Sequence, residues 1–197
     1  FRSLADAQGD RNVFSPLRDA GLGLPRYASG DPYQIAGTKL AANRVYFGVD
    51  PYQALYLGDL DAATKGTATW TKVVGVDDKA VDIGIAGGYV YLRTSKRAPR
   101  FEIVRMPLSS PDPARAEVVV PASESVIVSM RAARDALYVV RCDGATHSLW
   151  RLKHGAGAKR HRPEAVDDAH LHVPGDESRS EPRRTRGVHR LGGRLAA

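Results

Sequence analysis

The chain is predicted to be all-β: a partial β-propeller of about two to three four-stranded antiparallel blades, followed by a disordered C-terminal tail. Three observations predict it. A tyrosine-centred hairpin recurs at a spacing of 45 to 47 residues, at Tyr46, Tyr91 and Tyr138. A strand of alternating apolar and polar residues precedes the second and third copies. Beyond residue 153 the aromatic residues stop and arginine and histidine take over.

The elements follow in order. Residues 1–40 are rich in Gly, Pro and Asp and read as irregular loop or part of a blade. "RVYF" around Tyr46 begins the first hairpin and "ALYLGDL" from Ala54 completes it, with "TWTKVV" (Thr69 to Val74) as a further strand. Val81, Ile83 and Ile85 then alternate with Asp82 and Gly84, which places one face of a strand in a core. Gly87 to Leu108 is a hairpin: Tyr89 to Arg93 is aromatic and β-branched, and Phe101, Ile103 and Val104 supply its second strand across a basic turn. "AEVVV" (Ala116 to Val120) is the fourth strand of that unit. The pattern restarts with Val128, Met130 and Ala132 alternating with Ser129 and Arg131, then "ALYVV" at Tyr138 and "SLWRLK" from Ser148. Four short strands in about 45 residues is the period of a propeller blade, which buries its faces against neighbouring blades. An irregular β-sandwich is the competing architecture. The domain boundaries predicted are 1–40, 41–153 for the partial propeller and 154–197 for the tail.

Composition fits a globular β-domain. The 197 residues are 43% hydrophobic and 26% charged, enough for one real core. No apolar run approaches the roughly 18 residues of a membrane span, and no leader pattern precedes the first strand, although the chain opens on Phe1. The expected compartment is left between cytoplasm and periplasm. One cysteine, Cys142, forms no internal disulfide and sits in "VVRCDG" as a small strand residue. The net charge of +7 divides evenly: nine of the 29 basic and six of the 22 acidic residues lie from His154 onward, leaving +4 on the first 153 residues and +3 on the rest. Neither part concentrates basic residues among aromatics, so no nucleic-acid groove and no membrane surface is expected.

The last 44 residues contain no Phe, Trp, Tyr, Ile or Met and hold five of the six histidines. Such a segment has little apolar surface to offset the entropy of ordering. His170 and His172 have no carboxylate or thiol at a metal-ligand spacing, so no metal site is assigned. No cofactor motif is present.

From about Ala41 to Lys153 the sequence resembles the β-propeller of the prolyl oligopeptidase family of serine peptidases. "GVDDKAVD", "LRTSKRAPRFEIVR" and "AEVVVP" carry the likeness, with the order of the blades intact. The resemblance implies a seven-bladed propeller that caps an α/β-hydrolase domain bearing a Ser-Asp-His triad and admits short proline-containing peptides. It therefore implies that hydrolase domain as partner, with short peptides as ligands. The alternative is a stand-alone propeller-like module that binds a protein or peptide with its loop tips.

Bond-breaking in that family needs a serine on a strand-to-helix elbow, with Asp and His further along the chain. No G-x-S-x-G elbow occurs here. The serines of "MPLSSPDP" (Ser109, Ser110) and "PASESV" (Ser123, Ser125) lie beside prolines, and His147 falls in a predicted hairpin turn, "DGATHSL". No catalytic residue is assigned, and the chain is expected to be inactive alone. After "LWRL", "PEAV" (Pro163 to Val166) has the offset of a fourth strand. Beyond it the expectation is departure from the family, as a shifted frame in a GC-rich gene produces.

Overall fold

The structure, a computed structural model, describes residue 24, residues 28–155 and residues 164–165. It contains three four-stranded antiparallel sheets, each a meander in which strands pair in chain order. Blade 1 is β1 (Ala28–Gln34), β2 (Leu40–Phe47), β3 (Asp50–Asp59) and β4 (Thr71–Val74). Blade 2 is β5 (Ala80–Ala86), β6 (Tyr89–Thr94), β7 (Glu102–Pro107) and β8 (Glu117–Val120). Blade 3 is β9 (Val126–Ala132), β10 (Ala136–Asp143), β11 (Thr146–Lys153) and β12 (Glu164–Ala165). The all-β partial propeller holds, with three blades at the upper end of the expected number. Among the described residues one α-helix, α1 (Leu60–Thr64), joins β3 to β4, capped by Asp59 through a bond from the Ala62 N–H.

The boundaries shift at both ends. Blade 1 starts at Ala28, inside the segment read as loop or partial blade, and β12 lies inside the segment read as tail. The predicted disorder of that tail, with His170 and His172, falls outside the described residues.

The chain folds this way because blade 2 is apolar on both faces and lies between the other two. One core joins blades 1 and 2, through Leu55, Leu57 and Val74 against Val90, Leu92, Val104 and Met106. A second joins blades 2 and 3, through Tyr91 and Ile103 against Ile127, Met130, Leu137 and Val139. On the other face of blade 1, Ala41, Val45, Ala54 and Tyr56 are covered by Ala63 of α1 and by Ala68 and Trp70. The β5–β6 connection is a two-residue turn with Gly87 at φ 59° and Gly88 at φ 78°. Only glycine takes such a pair of angles without strain, and their twist matches that of the flanking strands.

The repeat holds between blades 2 and 3, at 47 residues for the first two strands and 46 for the third. Tyr91 lies between Gly84 and Arg105, and Tyr138 between Arg131 and Arg151, each as the third residue of its strand. Tyr46 departs from this expectation. It occupies the second strand of blade 1, but β2 is eight residues long and Tyr46 is its seventh, whereas Ala42 is its third.

The alternation in the first strands is also corrected. In β5 the ladder runs Asp82↔Arg93 and then Ala80↔Thr94, so Val81 is bulged out. In β9 it runs Ser129↔Val140 and then Ile127↔Arg141, so Val128 is bulged out, 47 residues after Val81. An extra residue on one strand reverses the inward phase on either side of it. Ala80 and Ile127 are therefore fully buried, while Val128 is 40% exposed.

Candidate functional site

The chemistry-bearing side chains of these blades gather at the seams between them. At the seam of blades 1 and 2, the Gln53 side-chain amide on β3 donates to the Val81 carbonyl at 2.6 Å. Arg44 on β2 donates to the Ile83 carbonyl at 3.4 Å. At the seam of blades 2 and 3, Arg93 on β6 donates to the Ile127 carbonyl at 3.0 Å. Both Val81 and Ile127 lie at the bulges, where the ladder is interrupted and a carbonyl is free to accept from a neighbouring blade.

Arg93 is held in place by two further contacts. Its Nε pairs with the Asp82 carboxylate at 2.8 Å, and its guanidinium lies 4.5 Å from the centroid of the Phe101 ring. Phe101 has φ of +67°, a conformation that strains a bulky residue. Arg93 thus joins a cross-strand ion pair, a cation–π contact and an inter-blade hydrogen bond in one side chain.

The other end of this seam is built on Tyr91, which is 2% exposed. Its hydroxyl lies 2.9 Å from Nδ1 of His154, and Nε2 of His154 lies 2.7 Å from the Ala133 carbonyl. Burial pushes the Tyr91 phenol above the ordinary tyrosine range, and the Arg105 guanidinium draws it part of the way back. Arg105, itself buried, forms two hydrogen bonds to one Glu117 oxygen at 2.9 and 3.0 Å and lies over the Tyr89 ring. Near the same end, β5 and the last residue of β9 approach so closely that a Cβ on Gly84 would lie 2.8 Å from the Cβ of Ala132.

None of the residues weighed for catalysis makes the seam hydrogen bonds described above. Ser109 and Ser110 are exposed in the turn after β7, and Ser123 is exposed in the link before β9, where it accepts from Arg141. His147 is not in a turn: the turn is Gly144–Ala145, and His147 is the exposed second residue of β11, paired in register with Cys142. Cys142 is half-buried, with Sγ 3.2 Å from the Gly144 carbonyl oxygen. Among the described residues no three His, Cys, Asp or Glu side chains converge as a metal site requires. A cleft of about 200 Å³ beside the β6–β7 turn carries Asp78, Lys96, Arg97 and Glu102. Its charges are already matched, Lys96 with Asp78 at 2.9 Å and Arg97 with Glu102 at 2.8 Å.

Sequence reading missed the seam residues, Gln53 and Arg44 among them. His154 was assigned to the tail, yet it packs against blade 2. Arg93 was read only as a strand residue. Gly87-Gly88 beside Tyr91 was the one local signal of a close approach, and it did not say what approaches.

The sequence profile of the prolyl oligopeptidase N-terminal β-propeller domain matches residues 44–181. The chain belongs to this family. The match runs to residue 181, past Val166, after which departure from the family pattern was expected. No curated protein sequence matches the chain. Solved structures do. One is a prolyl endopeptidase from a structural and mechanistic analysis of two such enzymes and the role of inter-domain dynamics in their catalysis and specificity. It aligns at TM-score 0.55 and 21% identity over 72% of this chain and 20% of its own. Another is prolyl oligopeptidase B from Galerina marginata in its apo form, at TM-score 0.51 and 16% identity over 64% of this chain and 18% of its own. At these identities the likeness speaks for the prolyl oligopeptidase propeller fold. The chain spans about a fifth of the length of the solved chains it matches.

Proposed function

We propose that these blades are part of a propeller that controls peptide access to a serine-peptidase active site carried on an α/β-hydrolase domain. The single observation that carries this reading is the family match over residues 44–181. The physical role follows from the blades themselves. Four-stranded sheets with continuous cores between them form stiff walls, and a ring of such walls encloses a central channel. A short extended peptide passes a narrow channel; a folded protein does not. The contribution of the propeller is exclusion, and the nucleophile, base and oxyanion donors belong to the hydrolase domain.

The test is to add the purified chain to the isolated hydrolase domain of a prolyl endopeptidase from which the propeller has been removed. Saturable binding is expected, with slower cleavage of an unfolded long polypeptide and little change for a short proline-containing peptide. No binding, together with unchanged cleavage of both substrates, would reject the gating role and favour a stand-alone binding module.

A further inference from the structure

We propose that His154 is a latch that holds blade 3 on blade 2, and that its release opens the seam between them without breaking any strand. The ring makes contact with three residues, Ala133, Tyr91 and Gly87. A carbonyl oxygen only accepts, so the 2.7 Å approach of Nε2 to Ala133 O places a proton on Nε2. In the neutral ring Nδ1 is then an acceptor, and the Tyr91 hydroxyl donates to it across 2.9 Å. The Tyr91 and His154 rings lie tilted at 43° with centroids 5.7 Å apart. Gly87 forms the floor. A Cβ there would lie 2.5 Å from the ring Cγ of His154, so glycine is required by the latch as well as by its φ of +59°.

Its position makes this a latch and not simply part of the core. His154 directly follows β11 and belongs to no strand, so its side chain adds a hydrogen-bonded tie between the β5–β6 turn of blade 2 and the β9–β10 turn of blade 3, beside the packing of Ala132 on Gly84. Tyr91 lies within the ladder of blade 2 and does not move when His154 leaves. Two neutral hydrogen bonds and one ring contact hold the ring, which sets opening in the range of a minor state populated at roughly 0.1–10%. The opposite end of the same seam is fastened separately by Arg93 and Ile127, so a released seam parts at the Tyr91 end and pivots at the Arg93 end. The inference does not rest on the access-controlling reading, since it concerns only how two adjacent blades hold together.

Hydrogen exchange read by mass spectrometry on the full chain tests it. In His154→Ala, amides of the β5–β6 and β9–β10 turns are expected to exchange about 5–10-fold faster, while those of the β2–β3 hairpin in blade 1 keep their wild-type rates. Tyr91→Phe removes one oxygen and keeps the test open if His154→Ala does not fold. It should accelerate the same two turns, and the double variant should add little to either single change. Wild-type rates at both turns in a folded Tyr91→Phe protein would overturn the latch. So would equal acceleration throughout blade 1, or single effects that simply add.

Discussion

At the scale of single residues, two positions have consequences that sequence alone does not show. Gly84 reads as an ordinary polar-phase residue of a strand, yet it packs directly against Ala132 of β9. Ala132 has no flexible side chain to withdraw, so a methyl group 2.8 Å from its Cβ must push two backbones apart. Gly84→Ala should therefore destabilise the protein by about 1–3 kcal/mol, as overpacking does, although alanine is otherwise the better strand residue. The midpoint of urea unfolding checks this. Tyr91 supplies a pH dependence. Its folded-state phenol is raised above the ordinary value of about 10, so the protonated form is favoured by folding. That contribution is complete below about pH 10 and is lost as pH rises through the folded value, because the unfolded chain ionises first. Urea midpoints taken between about pH 8 and 11 should fall at the alkaline end, and Tyr91→Phe should flatten the fall.

At the scale of elements, the strands were legible and their phases were not. Short β-branched and aromatic runs between glycine turns located β2 to β11 well, because pleated strands need that composition whatever they pack against. The inward face of β5 and β9 was read correctly at Ile83 and Met130 and wrongly at Val81 and Val128, because a bulge adds one residue without altering hydrophobicity. Val81 and Val128 are as apolar as their neighbours and still point elsewhere. The same bulges made the seam sites unreadable, since they leave backbone carbonyls as the partners of Gln53 and Arg93, and backbone leaves no trace in a sequence. The consequence is testable at Arg93. Arg93→Ala loses the Asp82 pair, the Phe101 contact and the Ile127 hydrogen bond together, and should cost about 1–3 kcal/mol. Arg93→Lys should recover little of it, because an ammonium cannot stack flat on the ring and reach both oxygens. Thermal unfolding of the two variants beside wild type measures the difference.

At the scale of the whole molecule, the repeat spacing decided the architecture and the resemblance decided the family. His154 shows the limit of composition: a residue at the head of an arginine- and histidine-rich segment is fixed by Tyr91, 63 positions earlier in the chain. No catalytic residue was assigned because the sequence has no G-x-S-x-G elbow. Ser109 and Ser110 are exposed in one turn, Ser123 in a link and His147 near the start of β11. The central claim is that these propeller blades select and admit while another domain breaks bonds. Fluorophosphonate labelling of the purified chain, read by intact mass alongside turnover of a proline-containing peptide, tests it most directly. The account predicts no adduct and no turnover. An adduct on any one serine, abolished by His147→Ala, would contradict it.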